Sequence, residues 1–139
     1  MKKPKMILVC GPDSSQKDIL TNKLINEYHA ALINSTQYMQ NENILTDKSI
    51  LKQYKTKIKK NLRHRINVIV NLPNLTIKNR RAILHLASNL EKEKICYVIL
   101  SKDYKLQDNS IDFNAQYQLK KFCLPTCEEG FDKIYIQNN

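Results

Sequence analysis

Five short apolar runs along the chain have the length of β-strands. They occupy residues 6–10, 30–34, 67–71, 94–100 and, as a closing edge strand, 133–136. The first four are apolar along almost their whole length, which is typical of strands that are buried on both faces. The pattern therefore favours a parallel sheet that carries helices on both of its faces.

Apolar residues recur at helical spacing between these runs. Helices are predicted over residues 16–28, 46–63, 77–90 and 113–122, with Thr46 or Asp47 starting the second and Thr76 capping the third. Ile19 is among the residues expected to pack on the sheet. The alternation of strands and helices predicts an α/β fold, a three-layer α/β/α sandwich with a mainly parallel five-stranded sheet, as a single domain over residues 1–139.

The stretch after the first strand has the layout of a phosphate-binding loop. In the motif G-x-x-x-x-G-K-S/T, the glycines let backbone N–H groups face the phosphates, the lysine reaches the outer phosphates, and the hydroxyl holds Mg²⁺. Gly11 and Lys17 are present, but Gln16 replaces the second glycine and Asp18 replaces the hydroxyl. Gln16 must therefore adopt an unfavourable φ or reshape the loop, and Asp18 places a negative charge where the phosphates would lie.

The candidate nucleotide-binding residues of this degenerate loop form one short segment. They are Gly11, Ser14, Ser15, Gln16, Lys17 and Asp18. The same segment also fits an ordinary turn between a strand and a helix, in which Asp13 and Ser14 or Ser15 cap the helix. The residues alone leave both interpretations open.

Positive charge is concentrated in the middle of the chain. The net charge is +10, and eleven of the 23 basic residues lie in residues 48–90, where there is no Asp or Glu; the other twelve stand against 13 acidic residues. Such a distribution is expected for a face that binds nucleic acid, and it also fits a lysine-rich solvated surface. The candidate nucleic-acid contacts are Lys52, Lys55, Lys59, Arg63, Arg80 and Arg81.

Arg80 and Arg81 lie near the predicted start of the third helix. Cations are mildly unfavourable at a helix N-terminus because of the helix dipole. We therefore expect both arginines to face solvent or a partner. Glu128 and Glu129, further along the chain, are expected in a solvated turn.

Cysteine and histidine residues predict no metal site. Cys123 and Cys127 are close in sequence, but their spacing matches no common zinc signature, and the three histidines have no ligand spacing. All four cysteines are expected to be buried, reduced thiols. No apolar stretch approaches the roughly 18 residues of a membrane span, so we expect a cytoplasmic protein with no membrane partner.

Three segments in order resemble the P-loop kinases of the polynucleotide kinase type, a group that includes small bacterial and phage ATP-binding proteins. Residues 6–17 look like the phosphate loop. Residues 67–75, followed by Lys78-Asn79-Arg80-Arg81, resemble that group's strand, its D-x-T-N-L turn and an arginine-rich helix start. Residues 122–132 resemble its P-x-x-x-E-G-F/W-D ending. The resemblance covers most of the chain and implies the P-loop kinase fold, with ATP and Mg²⁺ as the family's cofactors.

The chain departs from that family where the chemistry is done. Thr36 stands where such kinases carry an acidic residue after the second strand, and the Asp at the end of the third strand is Asn71, with Pro73 in place of the Thr. A neutral amide cannot act as a general base and holds Mg²⁺ less well than a carboxylate does. The family's arginine-bearing lid is reduced to residues 101–112, which contain no arginine.

The resemblance therefore implies a degenerate, catalytically impaired member that acts as a binding or regulatory module, and no catalytic residue is assigned. Its partner is expected to be a nucleotide, a nucleic acid or a protein. One alternative is an active ATP-dependent nucleotide or polynucleotide kinase or NTPase, in which Asp13 or Asp18 takes over the metal. The other is a nucleic-acid-binding protein that uses residues 48–81 and carries out no nucleotide chemistry.

Overall fold

Five strands and three α-helices make up the described part of the chain. The computed structural model describes residues 3–11, 15–34, 48–72, 76–100 and 123–138. In chain order the elements are β1 (Lys5–Cys10), α1 (Ser15–Tyr28), β2 (Ala31–Asn34), α2 (Lys48–Arg63), β3 (Val68–Asn71), α3 (Ile77–His85), β4 (Glu93–Leu100), a 3₁₀ turn (Cys127–Glu129) and β5 (Lys133–Asn138).

The strands form one sheet in the order β2-β3-β1-β4-β5, and every neighbouring pair is parallel. The predicted α/β sandwich with a parallel five-stranded sheet is confirmed. β1 lies at the centre, where Met6 is in register with Val68 of β3 and Lys94 of β4. In such sheets ligands bind beyond the carboxyl ends of the strands, at the point where the strand order reverses. Gly11 follows β1 directly at that edge.

Alternate residues of the central strand enter two separate cores. Met6, Leu8 and Cys10 face α2 and α3, whereas Ile7 and Val9 face α1. This follows from the period-two alternation of side chains along a strand, and it explains why the run had to be apolar at every position.

The start of α1 is oriented by a stripe of buried residues at helical spacing. Lys17, Leu20, Thr21 and Leu24 are buried, whereas Ile19 is 67% exposed. Ile19 falls between the members of this stripe and points away from the sheet, so the prediction that it packs on the sheet is wrong.

The third helix is shorter than predicted. Thr76 caps it as expected, since its Oγ1 accepts a hydrogen bond from the Asn79 N–H at 3.1 Å. The α-helix ends at His85, and the chain continues in tighter turns, in which the Leu90 N–H donates to the Ala87 carbonyl. Lys92 donates its Nζ to the carbonyls of Ala87 and Leu90 at 2.6 and 3.1 Å, which stabilises this ending.

The edge strand β2 is partly covered by α2. The Ala31 N–H donates to the Asn67 carbonyl on the β3 side, so the carbonyl of Leu32 points toward the open edge. Lys57 Nζ donates to that carbonyl at 2.9 Å. One flank of α2 is thereby fixed over the sheet edge.

Several predictions fall outside the described residues: the lid segment 101–112, the helix over 113–122, the Thr46 or Asp47 start of the second helix, Thr36 and Pro73. Among the helices that the structure describes, none has the length and apolar character required to span a bilayer.

Candidate functional site

Gly11 allows the chain to leave β1 beside β4. It is buried, with a φ of 128°, a conformation that favours glycine. A Cβ at this position would overlap the backbone carbonyl oxygen of Ile99. Both the backbone conformation and the close approach therefore require glycine here, independently of any phosphate.

Lys17 extends from the first turn of α1 to the end of β3. Its side chain is 1% exposed, and its Nζ donates to the Leu72 carbonyl at 2.7 Å. The carbonyl of Lys17 accepts a hydrogen bond from Thr21 Oγ1 at 2.8 Å. A buried ammonium needs such acceptors, because desolvation penalises the unpaired charge. Lys17 thus connects the start of α1 to the strand end next to the loop.

Asp18 and Asn71 come together at the same edge of the sheet. The Asn71 Nδ2 lies 3.5 Å from Asp18 Oδ1, at the outer limit of a hydrogen bond. The Asn71 side chain is 8% exposed, and its Oδ1 accepts no hydrogen bond from any described residue. The amide nitrogen of Asn71 therefore faces the Asp18 carboxylate, and this carboxylate is a ligand type that Mg²⁺ accepts.

The remaining loop positions are less informative. Ser15 is exposed and begins α1, and Gln16 lies in the first helical turn. Among the described non-glycine residues, positive φ occurs at His29 and Arg65. Of the two outcomes predicted for Gln16, the unfavourable φ is therefore wrong. Ser14 lies outside the described residues.

Two thiols lie directly beneath the loop. The Sγ atoms of Cys10 and Cys96 are 3.2 Å apart, and both residues are fully buried. The hydrogen bond with Cys10, followed by burial, raises the pKa of the Cys96 thiol. Both effects favour the protonated form of the Cys96 thiol. Cys123 and Cys127 are exposed, because they lie in the surface segment before β5, so the expectation of burial is wrong for these two.

The basic residues of α2 form a stripe. Lys52, Lys55, Lys59 and Arg63 follow one another at spacings of three or four residues, so the four positions fall within about 80° of one another around the helix. Lys59 is half-buried and the other three are exposed. None of the four forms an ion pair within the described chain. Tyr54 is fully buried on another side of the helix, as predicted.

Arg80 and Glu129 form a buried ion pair. Arg80 Nε and Nη2 donate to the two carboxylate oxygens at 2.8 and 3.2 Å, and both side chains are at most 2% exposed. The Thr126 N–H also donates to this carboxylate, at 2.9 Å. The predictions of a solvent-facing Arg80 and a solvated Glu129 are therefore wrong, and Arg80 is inaccessible to nucleic acid. Arg81 is exposed, as expected.

A cleft beside α3 gathers basic residues that sequence reasoning did not group. Its volume is about 630 Å³, and its basic lining residues are Lys78, Arg81, His85, Lys92 and Lys94. They come from α3, from the start of β4 and from the residue just before it, and no sequence motif connects these segments. The basic region between residues 48 and 90 was a partial signal, since it includes three of the five.

Within the described residues, no group of three or more His, Cys, Asp or Glu side chains could hold a metal ion. Asp18, which is exposed, could contribute one carboxylate ligand to Mg²⁺.

No protein-family model and no curated protein matches the chain. Solved structures do. A gluconokinase from Sinorhizobium meliloti superposes with a TM-score of 0.65 at 15% identity, over 99% of this chain and 84% of that one. A sugar kinase from a Janibacter species gives 0.68 at 12% identity, over 97% and 85%. A chain from the PezAT chromosomal toxin–antitoxin system of Streptococcus pneumoniae gives 0.58 at 16% identity, over 100% and 70%.

These similarities define the class of fold. The chain has a parallel α/β fold that matches P-loop kinase structures along almost its whole length. The expected P-loop kinase fold is therefore confirmed. At such low identities the likeness concerns the fold alone and carries neither a substrate nor an activity to this chain.

Proposed function

We propose that the chain is a degenerate P-loop kinase-like protein, related to the polynucleotide kinase type, which transfers phosphoryl groups poorly or not at all and serves as a binding or regulatory module. The observation that carries this proposal is the position of Lys17. Its ammonium is buried and bonded to the Leu72 carbonyl, whereas a loop lysine that serves catalysis must meet the outer phosphates.

The charges around the loop support the same proposal. Phosphoryl transfer depends on positioning and on positive charge around the transferred group. Asp18 brings a carboxylate to the first turn of α1, Asn71 is neutral at the strand end, and no arginine follows Arg81 in the sequence. These residues are expected to weaken the binding of both the phosphates and the metal ion.

Calorimetry with ATP and Mg²⁺, combined with phosphotransfer assays on 5′-hydroxyl oligonucleotides and on gluconate, tests the proposal. We expect no turnover with either acceptor. Turnover that is abolished by Lys17→Ala but kept by Lys23→Ala would overturn the proposal. Lys23 is the matched control, because it is an exposed lysine on the same helix.

The contact between Asp18 and Asn71 favours one alternative, an active ATP-dependent kinase or NTPase. In the family the acid is expected at the strand end and the neutral oxygen at the helix start; here Asn71 and Asp18 hold the reverse arrangement, 3.5 Å apart. One carboxylate is therefore still available for Mg²⁺. This alternative requires Mg²⁺-dependent ATP turnover that Asp18→Asn abolishes, and the absence of such turnover in the unmodified protein would exclude it.

The α2 stripe favours a second alternative, a nucleic-acid-binding protein. Three exposed cations and one half-buried cation on a single side of a helix provide phosphate contacts, and binding through them must weaken steeply with added salt. Neutralising Lys55, Lys59 and Arg63 with glutamine would then lower oligonucleotide affinity at low salt. If the affinity does not change, the alternative is wrong.

A further inference from the structure

The basic cleft lies between α3 and the start of β4, and none of its lining residues that the structure describes belongs to α2. α3 forms one wall, the start of β4 and the residues just before it form another, and Glu129 and Gly130 close one end. The strand order places β4 and β5 beyond the central β1, whereas α2 packs over β2 and β3. The cleft is also separate from Gly11, since the cleft lies at the start of β4, whereas Gly11 follows the carboxyl end of the parallel strand β1.

The cleft carries an excess of positive charge. Lys78, Arg81, Lys92 and Lys94 contribute four formal charges, and Glu129 is the acidic residue among the lining residues. Glu129 cannot neutralise them, because both of its carboxylate oxygens are taken by Arg80 and by the Thr126 N–H.

The pKa of Lys92 is affected by its surroundings in the cleft. Partial burial, and then the neighbouring Lys94 ammonium, lower the pKa of Lys92, although Asp132 acts in the opposite direction. An anion placed beside the Lys92 ammonium would offset both its partial burial and its repulsion by Lys94. Two donors of the Lys92 ammonium are used on carbonyls, so the third remains for a ligand.

The wall formed by Glu129 and Gly130 is held in place by contacts within the chain. The buried pair with Arg80 fastens it to α3, and Gly130 adopts a φ of 114° that leaves its Cα surface open to the cleft. The Lys94 Nζ lies near that surface, 3.8 Å from where a Cβ would be. A wall that is already held in place, with the Lys94 ammonium beside it, lowers the entropic cost of binding.

We propose that this cleft is a second anion-binding site, and that its ligand is a small molecule carrying one or more phosphate groups. A volume of about 630 Å³ lies in the range of small-molecule sites. A phosphate group carries about −1.5 to −2 charges, which matches several converging cations better than a single carboxylate does. The site does not depend on the function proposed for the loop.

Titration of the whole chain with pyrophosphate at low salt, followed by calorimetry and by backbone amide resonances, tests the proposal. We expect saturable binding, with resonance shifts at Ser88 and Gly130 that exceed those on α2. The double variant Arg81→Gln with Lys94→Gln is expected to weaken binding by at least about tenfold, because two charge-assisted hydrogen bonds are lost. The control, Lys52→Gln with Lys55→Gln, removes the same charge from the α2 stripe and is expected to change the affinity less than about twofold.

Absence of saturable binding, or equal weakening in both double variants, would overturn the proposal, since either result reduces the cleft to general surface charge. Stronger binding of a 12-nucleotide oligonucleotide that also shifts α2 resonances would overturn it in favour of nucleic acid. Inorganic phosphate, glucose 6-phosphate and AMP compete with pyrophosphate if the proposal holds, and their rank identifies the source of the phosphate group. If the cleft variant does not fold, the resonance shifts of the unmodified chain decide.

Discussion

At the scale of single residues, the two glycines differ in how much space a side chain would have. Both have positive φ, but a Cβ at Gly11 would meet backbone, and a Cβ at Gly130 would meet only the end of a flexible lysine. We expect Gly11→Ala to lower the free energy of unfolding by about 2–4 kcal/mol, since strain and overlap add, and Gly130→Ala to lower it by about 1–2 kcal/mol. Urea unfolding of the two variants measures the difference. Equal losses would mean that the contact with Ile99 relaxes without cost.

Sequence reasoning at this scale depended on motifs, and the nucleotide-binding role of the residues it selected stays a prediction. Gly11 and Lys17 were found because a phosphate-loop pattern prescribes their spacing, and the structure places both at the sheet edge. Arg80 and Glu129 were misassigned to solvent, because charged residues are usually exposed and a separation of 49 positions gives no sign of pairing.

At the scale of elements, the buried ion pair joins α3 to the turn before β5. Removing one member of a buried pair leaves an uncompensated charge, which typically costs about 3–5 kcal/mol. We expect Glu129→Gln to lower the free energy of unfolding by about 3 kcal/mol, since glutamine retains one acceptor. Glu128→Gln, the same change at the exposed neighbour, is expected to stay within about 0.5 kcal/mol. Denaturant unfolding of both variants checks this, and matching midpoints would contradict it.

Element boundaries show where periodicity stops being informative. The first four strands in chain order were predicted to within one residue at each end, because each is an apolar run bounded by polar residues. The end of α3 was missed by five residues. The apolar period continues through Ala87 and Leu90, but the backbone tightens into turns whose carbonyls are satisfied by Lys92, a contact that a one-dimensional pattern does not contain.

At the scale of the whole molecule, stability is expected to fall in alkaline solution. Burial, and then the hydrogen bond with Tyr28, raise the pKa of the Tyr97 phenol, and the two hydroxyl oxygens are 3.1 Å apart. In the unfolded chain tyrosine loses its proton near pH 10. Because the folded pKa is higher, this contribution to stability is complete below about pH 10 and is lost as the pH rises further.

The measurement compares urea unfolding at about pH 9 and about pH 11 for the unmodified chain and for Tyr97→Phe. The unmodified chain is expected to lose more stability between the two pH values than the variant does. This difference in stability loss is smaller than it would be for a fully buried tyrosine, because the Tyr97 ring is only half-buried. An identical loss in both proteins would show that Tyr97 does not contribute.

The global architecture was the most predictable level, and the binding surfaces were the least. Alternating apolar strands and amphipathic helices admit few arrangements, and the parallel sheet is the one observed. The cleft beside α3 could not be predicted, since Arg81 and Lys94 approach each other only because α3 packs next to the start of β4.

The hydrogen bond between Lys57 and the Leu32 carbonyl bears on how separate molecules meet. A strand at the border of a sheet offers unpaired backbone groups that can template intermolecular β-pairing and, in the extreme, fibrils. With the Leu32 acceptor already engaged, an approaching strand would have to displace a charged side chain before docking on β2. The helix α2, which covers the core, thus also opposes intermolecular β-pairing at the edge strand β2.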